Sequence, residues 1–180
     1  MDAIDIDITE GSTEIVFETE FSNNKSKNGE GFEVNYTVYM PETNPLEIKN
    51  SFGDVTMGNR DNDLDVNVAY GSLKTGDISG DLEVKVSFGS GSIGTINEGD
   101  ATVKYSSFEL DEAKVLDLTN GFSDIEIGEV DDLELESKYG KVEIEKANVI
   151  DANAHFSGLE IEELTGSLEL DCSYLCDFRI

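Results

Sequence analysis

The sequence predicts an all-β solenoid, a single-stranded β-helix of the right-handed type with about eight regular coils of 17 to 18 residues. Three observations carry this: a segment that recurs from Pro45 onward, alternation of apolar and polar residues inside each copy, and an aromatic near the end of each copy's first half. Copies begin at Leu46, Leu64, Leu82, Ala101, Leu116, Leu133, Ile150 and Leu168, with successive spacings of 18, 18, 19, 15, 17, 17 and 18.

Alternation sends successive side chains to opposite faces of a strand. The column two residues into each copy reads Ile48, Val66, Val84, Val103, Leu118, Leu135, Ala152 and Leu170, apolar throughout. Between these inward columns lies a polar outer one: Glu47, Asp65, Glu83, Thr102, Asp117, Glu134, Asp151 and Glu169. The next inward position reads Asn50, Val68, Val86, Tyr105, Asn120, Ser137, Ala154 and Cys172. The position after that reads Phe52, Tyr70, Phe88, Ser107, Phe122, Tyr139, Phe156 and Tyr174. Continued alternation places these rings in the core as a corner ladder. Gly53, Gly71, Gly89 and Gly140 follow an aromatic directly, where the chain must bend. A second strand follows, clearest in Val55/Met57, Ile125/Ile127, Val142/Ile144 and Leu159/Ile161. One copy cannot bury its apolar face, but copies stacked about 4.8 Å apart close a continuous core roughly 38 Å long. The pattern leaves two-faced and three-faced coils equally open.

Ahead of the repeats, strand-like runs cover Ala3 to Ile8, Glu14 to Phe21 and Phe32 to Met40, and residues 22–31 read as an exposed loop. The reading is one domain over residues 1–180. Within it, 1–44 form an irregular N-terminal cap over the first edge and 45–180 the regular coils. No capping segment is visible after the last coil, so the C-terminal edge is expected to be covered either by a neighbouring chain or by residues beyond this sequence.

Composition narrows the function. Forty acidic against twelve basic residues give a net charge of −28, with Arg60 and Arg179 the two arginines. Nucleic acid and anionic membrane surfaces need clustered cations, so neither is an expected partner. Residues 1–20 lack the basic and apolar regions of a signal peptide, and no apolar run is long enough to span a bilayer. An exported protein would have lost its leader. Cys172 and Cys176 offer no disulfide framework. In an extended segment their separation is roughly 13 Å, beyond bridging unless a turn forms at Leu175, and Cys172 is expected as a buried thiol.

The succession Val34-x-Tyr36-x-Val38-x-Met40-Pro41, then Leu46-x-Ile48-x-Asn50-x-Phe52-Gly53-x-Val55, leads into repeats of the form Leu-x-Val-x-x-x-(Phe/Tyr)-Gly-x-(Leu/Ile/Val). This resembles the bacterial adhesin-type β-solenoid domains common in Bacteroidetes. The resemblance implies a β-helix and a place in the periplasm, on the outer membrane surface or outside the cell. It supplies no functional residues to carry over.

Chemistry-bearing motifs are sparse. His155 is the single histidine, at an outward position with no second group fixed beside it. The stretch Gly89-Ser90-Gly91-Ser92-Ile93-Gly94 lacks the lysine and helix of a phosphate loop and reads as a widened turn. Asp61-Asn62-Asp63 and Asp131-Asp132 are oxygen-rich turn residues that would suit calcium, but Asp and Asn also favour turns for backbone reasons. The reading is accordingly a non-enzymatic exported envelope or surface protein, with no catalytic, cofactor or metal residues. The expected partner is an unidentified envelope protein or a glycan, with self-association through the C-terminal edge as a further possibility. A carbohydrate-binding or carbohydrate-cleaving β-helix is the alternative. Stacked carboxylates about 5 Å apart repel by roughly 0.8 kcal/mol in bulk water. Salt and divalent cations are therefore expected to raise the melting temperature in a titration followed by circular dichroism, and an unchanged midpoint would contradict crowded acidic columns.

Overall fold

The computed structural model describes residues 4–10, 15–21 and 34–180. The chain divides into two compact units, Met1–Tyr39 and Met40–Ile180. In the first, β1 (Ile4–Glu10) and β2 (Ile15–Phe21) fall on the two strand-like runs expected at Ala3 to Ile8 and Glu14 to Phe21 and pair antiparallel, Ile4 opposite Phe21. The loop expected over 22–31 lies outside the described residues. Residues 34–40 form no strand, although Val34, Tyr36, Val38 and Met40 alternate. Alternation sorts side chains between two faces, but a strand also needs a covered face, and Tyr36, Val38 and Tyr39 are all exposed.

The second unit is a parallel β-solenoid. Its strands are β3 (Leu46–Ser51), β4 (Val55–Thr56), β5 (Leu64–Ala69), β6 (Ser72–Lys74), β7 (Ile78–Ser87), β8 (Ser90–Lys104), β9 (Ser107–Gly121), β10 (Asp124–Lys138), β11 (Lys141–His155), β12 (Gly158–Ser173) and β13 (Asp177–Arg179). Every neighbouring pair runs parallel. The coils thus total about eight at the expected period, as read from the sequence. No helix occurs among the described residues, so none is long and apolar enough to cross a membrane.

One coil shows how the chain turns. In β9 the buried residues are Phe108, Leu110, Ala113, Leu116, Leu118 and Asn120, and the exposed pairs Asp111–Glu112 and Lys114–Val115 interrupt the period of two. Two consecutive outward residues mark a corner, because a straight strand would send one of them inward. Each coil therefore has two alternating faces joined by a narrow edge with a single inward residue. That edge stacks Ile78, Ile96, Ala113, Val130, Ala147 and Leu164.

The register corrects the fourth copy. Gly99, not Ala101, pairs with Leu82 and Leu116, so the coil starts two residues earlier and the spacing returns to 17 on both sides. A glycine hid this start. The space it leaves is filled by Ile96, whose Cδ1 lies 2.9 Å from where a Cβ on Gly99 would sit. The outer column consequently holds Asp100 in place of Thr102, and the aromatic position holds Tyr105 in place of Ser107. Similarly, Gly89 to Gly94 is not a widened turn, since β8 begins at Ser90. Gly91 faces inward, and the Phe108 ring of the next coil takes the volume that a side chain there would need.

Gly71 and Gly89 are required by close approach rather than by φ. A Cβ on either would come within 1.9 Å of the carbonyl oxygen one coil back. In later coils Ser106, Ser123 and Ser157 take this place, each donating its hydroxyl to the carbonyl two residues earlier, at 2.8, 3.0 and 2.9 Å. The inner columns imply a sharp contrast between neighbouring residues. Leu118→Ala should lower stability by about 2 to 5 kcal/mol through a cavity, whereas Glu134→Gln should leave the denaturation midpoint nearly unchanged. Equal effects in urea titrations would contradict the assigned inner and outer columns.

Candidate interaction surface

The aromatics lie outside the core, contrary to the sequence expectation. Phe52, Tyr70, Phe88, Tyr105, Phe122, Tyr139, Phe156 and Tyr174 all have positive φ, between 51° and 72°. A left-handed residue breaks the pleat, so the side chain due to point inward points to solvent instead. Such a conformation costs a non-glycine residue about 1 to 2 kcal/mol. Two interactions offset it. Each backbone N–H from Phe52 to Phe156 still donates to the next coil, at 2.8 to 3.3 Å. The rings also stack, with centroids 4.8 to 5.2 Å apart and interplanar angles of 3° to 11°. Aromatic pairs in such offset stacks contribute about 0.5 to 1.5 kcal/mol beyond burial. Asn50 and Asn120 brace the same turn, each donating its amide to the carbonyl three residues on, at 2.7 and 3.2 Å.

This geometry decides what the aromatic stripe can offer. Ring faces are taken up by neighbouring rings, and only edges meet solvent. A sugar-binding platform needs an open face, which survives at the ends, where Phe52 and Tyr174 are 76% and 72% exposed against 42% to 53% for the rings between them.

Beside the ladder runs the outer column, with its fourth place corrected. Glu47, Asp65, Glu83, Asp100, Asp117, Glu134, Asp151 and Glu169 are in register, acidic in all eight coils. Lysines on the same strands partly offset it. Lys49 pairs with Glu47 and Lys85 with Glu83. Hydrogen bonding to Lys49 lowers the Glu47 pKa, and hydrogen bonding to Glu83 raises that of Lys85. Lys138 does the same to Glu136, with a smaller contribution from His155.

A second acidic column, Glu109, Glu126, Glu143 and Glu160, occupies the opposite alternating face. It borders a shallow corner groove of about 570 Å³ lined by Asp111, Glu112, Gly128, Glu129, Glu145, Lys146, Glu162 and Glu163. Lys146 bridges coils to Glu129, and Lys141 pairs with Glu143 and, at 3.2 Å, with Glu160.

The residues singled out from the sequence do not converge. His155 is half-buried, in register with Lys138 of the neighbouring coil and close enough to Glu136 to help lower that carboxyl's pKa. At Asp61-Asn62-Asp63 the side chains serve the backbone: Asn62 donates to Thr43 O at 2.9 Å, and Asp63 Oδ1 accepts the Asp81 N–H at 3.1 Å. Asp131 and Asp132 are the exposed corner pair of β10. Among the described residues, no three His, Cys, Asp or Glu side chains are placed to hold a metal ion together.

The sequence reading left one feature open and missed another. Cys172 and Cys176 form a disulfide with Cα atoms 6.1 Å apart. Tyr174 and Leu175 between them both adopt left-handed φ, 61° and 58°, which coils the segment tightly enough to bring the sulfurs together. Cys172 is therefore neither a thiol nor buried. Arg60, for its part, heads the narrow inward edge, 5% exposed, with Nη2 donating to Asn44 O and Nε unpartnered. Counting back from Ile78 by one coil would have found it.

Compared with known proteins, the chain matches no family model, no curated protein and no solved structure. Of the expected likeness to adhesin-type domains, the β-solenoid fold alone is shown; no family or relative is identified.

One carboxylate gives a pH test. Asp54 Oδ1 accepts both the Ser72 N–H, at 2.8 Å, and the Ser72 hydroxyl, at 2.6 Å, tying the first coil to the second. The hydroxyl bond, then the backbone bond, lowers the Asp54 pKa. A depressed carboxylate stabilises the fold above its unfolded pKa, and the contribution is lost as pH falls through the folded one. The melting-temperature gap between wild type and Asp54→Asn should be present at neutral pH and close in acid, as pH falls past the ordinary aspartate value of about 3.9 and through the lowered folded one. A gap that persists at lower pH would contradict the assignment.

Proposed function

We propose that this chain is a non-enzymatic, exported β-solenoid of the cell envelope or cell surface, acting as a scaffold with adhesin-type binding through its repeated outer columns. The observation that carries this reading is the acidic column that repeats once per coil through all eight coils. Identical groups at fixed intervals suit a multivalent partner, because each added contact is intramolecular once the first has formed. The charge selects an envelope protein or glycan carrying cationic groups, or one bridged by divalent cations. Export is supported by the Cys172–Cys176 disulfide, since such bonds persist in oxidising compartments. The carbohydrate-platform alternative is less favoured, because the stacked rings present edges and not faces.

Retention on immobilised native envelope should fall several-fold in the triple variant Asp100→Asn, Asp117→Asn, Glu134→Gln, and should weaken with added salt, while circular dichroism stays unchanged. Undiminished retention by a folded variant would overturn the reading. So would release of reducing ends from acidic polysaccharides by the wild-type protein.

A further inference from the structure

We propose that the Cys172–Cys176 disulfide is a redox-sensitive staple: it holds an irregular corner of the solenoid closed, and reduction by a dithiol releases Tyr174 and β13 from the stack. The inference rests on the geometry of that corner and is independent of the adhesive reading. In the preceding coils the corner is one left-handed aromatic and one small residue, as Phe122 and Ser123 lead into Asp124, and Phe156 and Ser157 into Gly158. After Tyr174 the chain carries one residue more. Leu175 and Cys176 both precede Asp177, which pairs with Gly158 in the register.

Three distances show this corner to be looser than the others. The Phe156 N–H donates to Ser173 O at 3.3 Å, whereas the equivalent bonds from Phe52 to Tyr139 measure 2.8 to 3.1 Å. The Asp177 N–H donates to Ser157 O at 3.3 Å, against 2.9 to 3.2 Å for the same bond at Ser90, Ser107, Asp124, Lys141 and Gly158. Phe156 and Tyr174 have ring centroids 5.2 Å apart, where the other steps of the ladder are 4.8 to 5.0 Å. Leu175 is left-handed as well, with φ of 58°, but has no ring to stack, so the ladder does not offset its backbone. The disulfide spans this stretch and closes it covalently.

Without that bond, little else fastens the corner. At Ser106, Ser123 and Ser157 the corner hydroxyl donates to the carbonyl just before the aromatic. Cys176 stands in that place, with Sγ 3.9 Å from Ser173 O and 3.3 Å from Ala154 O, so the reduced thiol offers a weak donor where those coils have a hydroxyl. β13 adds the pairs Gly158 with Asp177, Leu159 with Phe178 and Glu160 with Arg179. In the exchange, one thiolate of the dithiol attacks a cystine sulfur and expels the other as thiolate, and the second thiol of the reductant then resolves the mixed disulfide. Two electrons and two protons pass to Cys172 and Cys176, which end as thiols, and the reductant ends as a disulfide. Residues 168–173 stay paired with β11, so the change is confined to one corner.

The test is amide hydrogen exchange of the full chain, read by mass spectrometry before and after reduction with dithiothreitol, with reduction verified by alkylation of both thiols. Exchange over residues 174–179 should rise several-fold on reduction, while β9 to β11 keep their protection. The double variant Cys172→Ser, Cys176→Ser should exchange like the reduced chain with or without reductant. Deleting Leu175 from that variant restores the two-residue corner of the other coils and should return protection to β13. Equal exchange in the oxidised and reduced chains would overturn the proposal, and so would a loss of protection that spreads through β11. A Leu175 deletion that leaves β13 unprotected would overturn it as well, because the extra residue would not then be what the disulfide restrains.

Discussion

Everything in the solenoid depends on parallel hydrogen bonding that holds each coil in register with the next. Once Leu116 faces Leu133 and Leu133 faces Ile150, every other position in the coil is also stacked on its equivalent. A choice made at one position becomes a column. The inward columns then form a continuous core, and the outward ones become ladders of like groups whether or not they attract. The acidic column is the costly result, stabilised only locally by lysines such as Lys49 and Lys85. The aromatic ladder is the favourable one, since stacking offsets a left-handed backbone at every coil.

The same constraint explains what could be read from the sequence. Leu118 and Leu135 announce their columns because any polar residue there would be buried between two neighbours. The number of coils and the parallel solenoid follow from that repetition. Coil four was misplaced because Gly99 offers no apolar signal and Ile96 fills its space from a different column. Anchoring on the interval between Phe88, Tyr105 and Phe122 would have recovered it. The direction of the rings was misread for another reason: strict alternation holds only while the pleat holds, and the left-handed turn falls on the aromatic itself rather than on the glycine after it.

Features that depend on three-dimensional closure were less legible. The Cys172–Cys176 bond needs two consecutive left-handed residues, one of them a leucine, which no propensity argument would place there. Residues 34–40 carried a strand pattern without acquiring a strand. The outer surface was legible in composition but not in arrangement. Abundant acid was plain, whereas its alignment into one unbroken column appeared only when the register placed Asp100 between Glu83 and Asp117.

The central claim is that the coil is the unit of stability and that neighbouring coils are interchangeable in register. It is tested most directly by comparing two deletions in thermal unfolding. Removing residues 116–132, one complete period, joins Val115 to Leu133 and keeps every column aligned. This variant should melt cooperatively with β-rich circular dichroism and a modestly lower midpoint. Removing residues 116–124, about half a period, leaves a coil unable to close and should abolish the cooperative transition. Equivalent melting of the two variants, or loss of structure in the full-period deletion alone, would contradict the account.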